Sequence, residues 1–481
     1  MPDPSPPLPT TPRWLLPTIV AAGTICRLAQ YFSRRSYWED ESFIVLQLKY
    51  RTAGQLLGPL ADFTPPQAAP PLWLLAQRGL LLAFGTHEFA MRLIALVAGI
   101  AALVLFAIIA KRLHSPIAAA TAVALFAFSN TLIWHGTEVK PYSSDTFFAT
   151  WVLLVVLRRE QAPLVRLMIA AVIAAVGVWF SYPLIFVFGG ASLALLPAIL
   201  SNARHRSQDI AIWLLCNAAA VASFLAVLLT VIRRQQLHDL DDYWADDMAD
   251  YAHPLKIPLW LGNRLMSLTD ALAGHTWPAI AVLSIFAIAW LWRRDRERLA
   301  ILTLPILLTI LAAFAKRYPL DGGRVNLFLA PGLTLLAGYG IDGILTLRPA
   351  VKRGWVAAAA VLINAPQIVF CVIALFVPRT RASARPAVEY VLAHREPGQA
   401  VYTISVHQVW CYWPDSEPHP QNIKDVTPAP GRFWLITTNR PGRRAEKVED
   451  RLKPARNAGT QIGKPYIVSD GGGAVYLFET K

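Results

Sequence analysis

Charge is scarce in this sequence. Only 16% of its 481 residues are Asp, Glu, Lys or Arg, where a soluble globular domain carries roughly 25%. With 55% hydrophobic residues and a mean hydropathy of +0.41, that shortage excludes an ordinary water-soluble domain and indicates a chain embedded in lipid. Cysteine is nearly absent as well. Cys26, Cys216 and Cys371 lie in apolar runs without metal-ligand spacing, and Cys411 stands alone, so no disulfide framework is implied. No P-loop, GxGxxG, HExxH or CxxC pair occurs, which leaves no motif for nucleotide binding or a zinc hydrolase.

The charge that is present leans positive, with 45 Lys and Arg against 31 Asp and Glu and a net charge of +14. In a soluble protein this would point to a nucleic-acid partner. Here the basic residues cluster in short loops between apolar runs, which reads as membrane orientation and not as nucleic-acid binding.

A helical span needs about 20 mostly apolar residues, and about eleven segments approach that. They lie near 14–32, 90–110, 115–135, 142–157, 164–181, 183–200, 209–232, 277–292, 299–315, 325–346 and 354–377. Every even-numbered span ends in a short basic loop: Lys111, Arg112 and His114; Arg158, Arg159 and Arg166; Arg204 and Arg206; Arg293, Arg294, Arg296 and Arg298; Arg348, Lys352 and Arg353. Cytoplasmic loops carry such an excess, so the N-terminus is expected in the cytoplasm and the C-terminal segment outside. The Pro-rich stretch 1–13 reads as disordered. The run from Trp14 has no small-residue cleavage site and reads as a retained first span.

Three pieces are expected on the outer face. The loop 33–89 holds Leu72–Phe84, too short to span and suited to lie in the interface. The loop 233–276 holds Asp239, Asp241, Asp242, Asp246, Asp247 and Asp250. This run reads as a solvated acidic loop, with a divalent cation as the alternative. The tail 378–481 reads as a small α/β unit, with helices over 384–395 and 444–455 and strands over 400–406, 433–438 and 474–479. The fold class is therefore an all-α polytopic membrane domain, 14–377, followed by a small extracytoplasmic α/β domain.

Four motifs collect at the outer ends of the spans. Tyr37-Trp38-Glu39-Asp40-Glu41 puts three carboxylates between aromatics at headgroup level, where partial desolvation suits a general base; a solvated loop start is the plainer alternative. Gln67-Ala68-Ala69-Pro70-Pro71 approaches extended and then starts a helix. Glu138-Val139-Lys140-Pro141-Tyr142-Ser143-Ser144-Asp145 carries Tyr142 and Asp145 on one helical face, with Glu138 and Lys140 at the same depth. An acid just inside a span is costly and usually functional or paired, or else it caps a helix. Arg317-Tyr318-Pro319-Leu320-Asp321-Gly322-Gly323-Arg324 offers backbone N–H groups, a helix N-terminus and guanidinium together, which suits phosphate, or is simply a basic turn.

In this order, and with Phe89-Ala90-Met91-Arg92-Leu93 opening the second span, these motifs resemble the GT-C superfamily of membrane glycosyltransferases, in the branch of the protein O-mannosyltransferases and lipid A aminoarabinose transferases. The resemblance covers roughly residues 14–346 and is strongest over 37–146. It implies transfer of a sugar from a polyprenyl-phosphate donor to a hydroxyl of a glycan, lipid or protein acceptor, with inversion, on the outer face of a membrane such as the bacterial inner membrane. It implies Asp40 as general base with Glu41 beside it, and Asp145 as a second acid. Lys140 and Arg324 are the candidates for the donor phosphate on physical grounds, and Glu138, Tyr142, Arg92 and Arg317 complete the expected substrate-binding set. No cofactor is required; a divalent metal is possible but unsupported. One departure stands out: the aminoarabinose enzymes carry Lys just before Pro-Pro, and this chain has Ala69. A transporter or flippase of a lipid-linked sugar, or a non-catalytic assembly protein, are the alternatives. Transporters place their charged sites near the midplane, whereas these candidates gather at span ends.

Overall fold

The computed structural model describes residues 12–63, 67–202, 204–235, 243–348, 352–438, 445–468 and 473–480. All but the last residues of the Pro-rich N-terminus lie outside them, as do Asp239, Asp241 and Asp242.

Each expected apolar run is helical. The first ten helices are α1 Leu15–Phe32, α2 Glu39–Tyr50, α3 Pro71–Phe84, α4 Glu88–Leu113, α5 Pro116–Phe128, α6 Asn130–His135, α7 Tyr142–Val156, α8 Pro163–Gly177, α9 Leu184–Leu200 and α10 Arg206–Val227. The longer of the later helices before the tail run Ile257–Ala273, Trp277–Arg294, Arg296–Phe314, Ala330–Leu347 and Arg353–Phe376. Among the described residues, seven helical stretches are long and apolar enough to cross a membrane, while 116–128, 142–156, 163–177 and 184–200 are shorter apolar helices. The expected count of eleven crossings thus does not follow from helix length. The lipid-facing surface is plain on α10, where Leu215 is 68% exposed, and on the helix 353–376, where Leu362 is 71% exposed. Rows of bare Leu, Val and Ile of this kind belong in hydrocarbon. The protein is an integral, multi-pass membrane protein.

Two expectations are corrected. The run 115–135 is not one span: Ser129 interrupts it, and its hydroxyl accepts the Leu132 N–H at 3.5 Å to start α6. The segment 233–276, expected as loop, contains the helix Ile257–Ala273. Asn263, Arg264 and Asp270 break its apolar run, but Leu268, Thr269, Leu272 and Ala273 still form a buried stripe. Arg264 is tied to Asp247 at 2.5 Å.

Internal polar groups fix the packing of the bundle. Arg27 of α1 is almost fully buried, and its guanidinium donates to the carbonyls of Gly23 at 2.9 Å and Ala127 at 2.7 Å. Gly23 is required at that crossing, since a Cβ there would lie 2.7 Å from the Ala127 Cβ. The basic loops meet at one end of the bundle. Arg166 pairs with Glu297 at 2.9 Å, Arg159 with Glu297 at 3.5 Å and Arg112 with Glu160 at 3.9 Å. The four motifs of the sequence therefore share the opposite end.

The tail forms a five-stranded sheet of order β2-β1-β3-β5-β4, from β1 Ala400–Thr403, β2 Gln421–Asn422, β3 Arg432–Thr437, β4 Gly459–Ile467 and β5 Ala474–Thr480. β1 runs parallel to β2 and β3, whereas β3–β5 and β5–β4 are antiparallel. The expected helices are present at 384–394 and 445–458. Strand β4 was not expected: it is an edge strand with few buried positions, so it lacks the apolar alternation that marks a half-buried strand. The tail domain docks on α2 and its approach. Tyr412 Oη accepts the Tyr37 N–H at 2.7 Å and donates to Glu88 at 2.9 Å, and Lys49 pairs with Asp415 at 2.7 Å.

Candidate active site

A cavity of about 1500 Å³ opens at the motif end of the bundle, lined among others by Asp40, Gln67, Lys140, Tyr142, Asp145, Tyr182, Arg317 and Arg324. The helix starts aim these side chains. Trp38 is extended and its carbonyl accepts the N–H groups of Glu41 and Ser42, each at 3.0 Å, which begins α2 and places Asp40 in its first turn. Pro141 precedes α7, which brings Tyr142 and Asp145 round to the same cavity. The left-handed Gly322 turn, φ 72°, is held by Asn326 at 3.0 Å, and it delivers Arg324. A side chain at Gly322 would also strike Ser267, whose Cβ would be 2.3 Å away.

The charges alternate around the mouth. Arg324 contacts the Asp40 carboxylate and the Tyr243 hydroxyl, and its guanidinium lies 5.3 Å from the Trp244 ring centroid. Lys140 is buried and donates to Gln67 Oε1 at 2.6 Å. Burial pushes its ammonium below the usual lysine range, with Asp40 pulling the other way. Asp145 is only 5% exposed, and one of its carboxylate oxygens has no hydrogen-bond partner among the described residues. Arg317 is exposed at the rim. Asp321 lies under the Gly322 turn, where burial pushes its carboxyl up.

Three of the expected site residues lie outside the cavity. Glu41 is fully buried against Arg92, which donates from Nε at 2.8 Å and from Nη2 at 2.7 Å. The same carboxylate accepts the Val139 N–H at 2.9 Å. Both lone-pair sets are therefore engaged, and neither Glu41 nor Arg92 reaches the cavity lining. Glu138 is likewise fully buried, in contact with the Trp38 indole N–H, with Trp134 Nε1 at 3.3 Å and with His135 Nδ1. Burial alone would push its carboxyl up, but His135, Arg35 and Arg381 overcome this and hold it at about 2.

The family model described as dolichyl-phosphate-mannose-protein mannosyltransferase matches residues 68–229. In structure the chain is similar to ArnT from Cupriavidus metallidurans in the apo state, with a TM-score of 0.52 at 11% identity over 96% of this chain and 98% of that one. The chain has the GT-C fold. It is also similar to ArnT from Cupriavidus metallidurans bound to undecaprenyl phosphate, with a TM-score of 0.49 at 12% identity over 96% of this chain and 97% of that one. Archaeal oligosaccharyltransferase AglB from Archaeoglobus fulgidus, in complex with an inhibitory peptide and a dolichol-phosphate, gives 0.48 at 10% identity, over 98% of this chain and 74% of that one. No curated protein matches in sequence.

Sequence reasoning missed much of the wall of this GT-C cavity. Tyr182, Phe186, Phe224, Leu228, Trp260 and Leu308 add apolar lining, while Arg233 and Lys256 add basic groups. Phe224, Leu228 and Leu308 are indistinguishable in sequence from lipid-facing residues of the same helices. Trp260 belongs to the helix that the polar interruptions concealed. Ala69, just before Pro70-Pro71, is buried; Gln235 accepts its N–H at 3.1 Å and Tyr182 donates to its carbonyl at 2.8 Å. A longer side chain there would enter a site already closed.

Proposed function

We propose that this protein transfers a sugar from a polyprenyl-phosphate donor to an acceptor hydroxyl, with inversion, at the cavity that joins Asp40, Lys140, Asp145 and Arg324. The observation that carries this reading is the convergence of the Asp40 carboxylate, the Lys140 ammonium and the Arg324 guanidinium on a cavity that apolar side chains also line. An apolar wall suits a polyprenyl chain, and paired cations suit its phosphate. The family model matched over 68–229 describes an enzyme using dolichyl-phosphate-mannose, and ArnT has been solved with undecaprenyl phosphate; the donor class proposed here is the same.

The acceptor oxygen attacks the anomeric carbon from the face opposite the phosphate. Asp40 takes the hydroxyl proton as the C–O bond to the acceptor forms. The C–O bond to phosphate breaks, and polyprenyl phosphate leaves with its new negative charge facing Lys140 and Arg324. Arg324 is shared: it rests on Asp40, and a phosphate arriving beside Lys140 competes for it. Donor occupancy thereby frees the base. Asp145, buried and without a cation partner among the described residues, faces the sugar. Glu41 and Glu138 act from behind, as supports for the segments that carry Asp40 and Lys140.

The test is donor turnover. The protein in lipid is offered a panel of polyprenyl-phosphate sugars with glycan, lipid and peptide acceptors, and free polyprenyl phosphate is measured. Acceptor-dependent release from one donor supports the proposal. Donor movement between leaflets without release would replace it with a transporter.

A further inference from the structure

Glu138 sits directly behind the cavity without touching it, and its partners come from three separate parts of the chain. Its carboxylate holds Trp38 by the indole N–H. Trp38 is the residue on which α2 begins, two positions before Asp40. The ring of Trp38 is covered by Arg381, whose guanidinium lies 4.3 Å from its centroid and 4.7 Å from that of Trp134. Arg381 belongs to the segment between the last apolar helix of the bundle and the tail domain. That segment and the helix 384–394 after it hold α1 and the approach to α2: Gln30 donates to the Arg379 carbonyl at 3.0 Å, and the Arg385 N–H donates to Ser36 Oγ at 3.1 Å. From the other side Arg35 stacks 3.8 Å from the Trp134 ring centroid and donates to the Thr137 carbonyl at 2.5 Å. Two indoles, two guanidiniums and one carboxylate thus pack together, with Trp38 held between Glu138 and Arg381.

We infer that Glu138 and Arg381 are positioning residues that set the aim of Asp40 by clamping the Trp38 indole, so that the segment leading to the tail domain is part of the machinery of the reaction. The inference rests on the transfer reading above. Its physical basis is the short lever involved. Trp38 supplies the carbonyls for the first turn of α2, so any rotation of its backbone turns the Asp40 side chain with it. A displacement of about 1 Å at a reacting group can cost roughly a hundredfold in rate. Charge also matters, because a buried carboxylate holding an indole N–H makes a stronger bond than a neutral amide would.

Three variants separate this role from simple structural support. Trp38→Phe keeps an aromatic ring, though a smaller one, and removes the N–H; Glu138→Gln keeps the shape but removes the charge; Arg381→Ala removes the cover. Each is expected to lower kcat by between about tenfold and about a hundredfold, with polyprenyl-phosphate affinity within about twofold for Trp38→Phe and Arg381→Ala. Each is also expected to raise amide hydrogen exchange over residues 38–43. In an Asp40→Asn background the same changes are expected to cost nothing further, because a residue acting only through Asp40 has nothing left to position. Wild-type kcat in the three variants, or unchanged exchange over 38–43, would overturn the inference and leave the transfer reading intact. Losses that add fully to that of Asp40→Asn would also overturn it, as evidence of a merely structural role. Absence of turnover in the wild-type protein with every donor would overturn the transfer reading, and this inference with it.

Discussion

The Asp40 carboxylate rests against the Arg324 guanidinium, across 284 residues of sequence. Both groups are partly open to the cavity, with side chains about a fifth exposed, 19% and 21%. An ion pair of this exposure adds little to stability, so its value lies in what it places at the mouth. Arg324→Ala is expected to weaken polyprenyl-phosphate binding by between about tenfold and about a hundredfold, the loss of one charged hydrogen bond. Arg324→Lys is expected to recover only part, since an ammonium cannot bridge carboxylate and phosphate as a planar fork does. Equilibrium binding of the lipid phosphate checks this, and unchanged affinity in Arg324→Ala would remove Arg324 from the donor site.

Lys140 gives the site a pH dependence with a definite sign. Burial lowers its pKa below the ordinary 10.5, against the opposing pull of Asp40. A bound phosphate adds negative charge and favours the ammonium again. The complex therefore holds a proton that the empty site gives up first as pH rises. Donor affinity should fall on the alkaline side, beginning below the ordinary lysine range. Lys140→Met should bind more weakly at neutral pH and lose that alkaline dependence. Binding curves for the two proteins across pH 7 to 10 test it, and a flat wild-type profile would contradict the assignment.

The neighbouring acids Asp40 and Glu41 should behave differently when changed. Glu41 and Arg92 are 0% and 1% exposed as side chains and joined at 2.7 Å. Removing one partner of such a buried pair costs about 3–5 kcal/mol, because the other is left charged and unpaired. Arg92→Ala and Glu41→Ala should therefore fall in melting temperature and folded yield. Asp40→Asn, at the cavity edge, should melt close to the wild type. Equal melting of all three variants would contradict this division of roles.

Much of this was legible in sequence, and the remainder was hidden for identifiable reasons. The apolar runs marked the helices, because hydrophobic length is a strong signal in membrane proteins. The motifs around Asp40, Lys140, Asp145 and Arg324 marked four groups that line one cavity. Adjacency misled at Glu41 and Glu138. Each is next to or near a cavity residue in the chain, yet the first turn of α2 turns Glu41 to Arg92, and the bend between α6 and α7 turns Glu138 to Trp38. Nothing local distinguishes an acid that faces a cavity from one that faces a buried guanidinium 51 residues away in sequence. The helix Ile257–Ala273 was concealed by Asn263, Arg264 and Asp270, which make its run too polar for a span while its stripe of Leu268 and Leu272 is still buried.

The most direct test of the central claim is the rate of polyprenyl-phosphate release by Asp40→Asn relative to wild type, with the donor and acceptor that the wild type uses. The account predicts a folded protein that still binds donor and turns over about 10²–10⁴-fold more slowly, as the loss of one general base entails. Turnover within tenfold of wild type would contradict it, and the base would have to be sought elsewhere in the cavity.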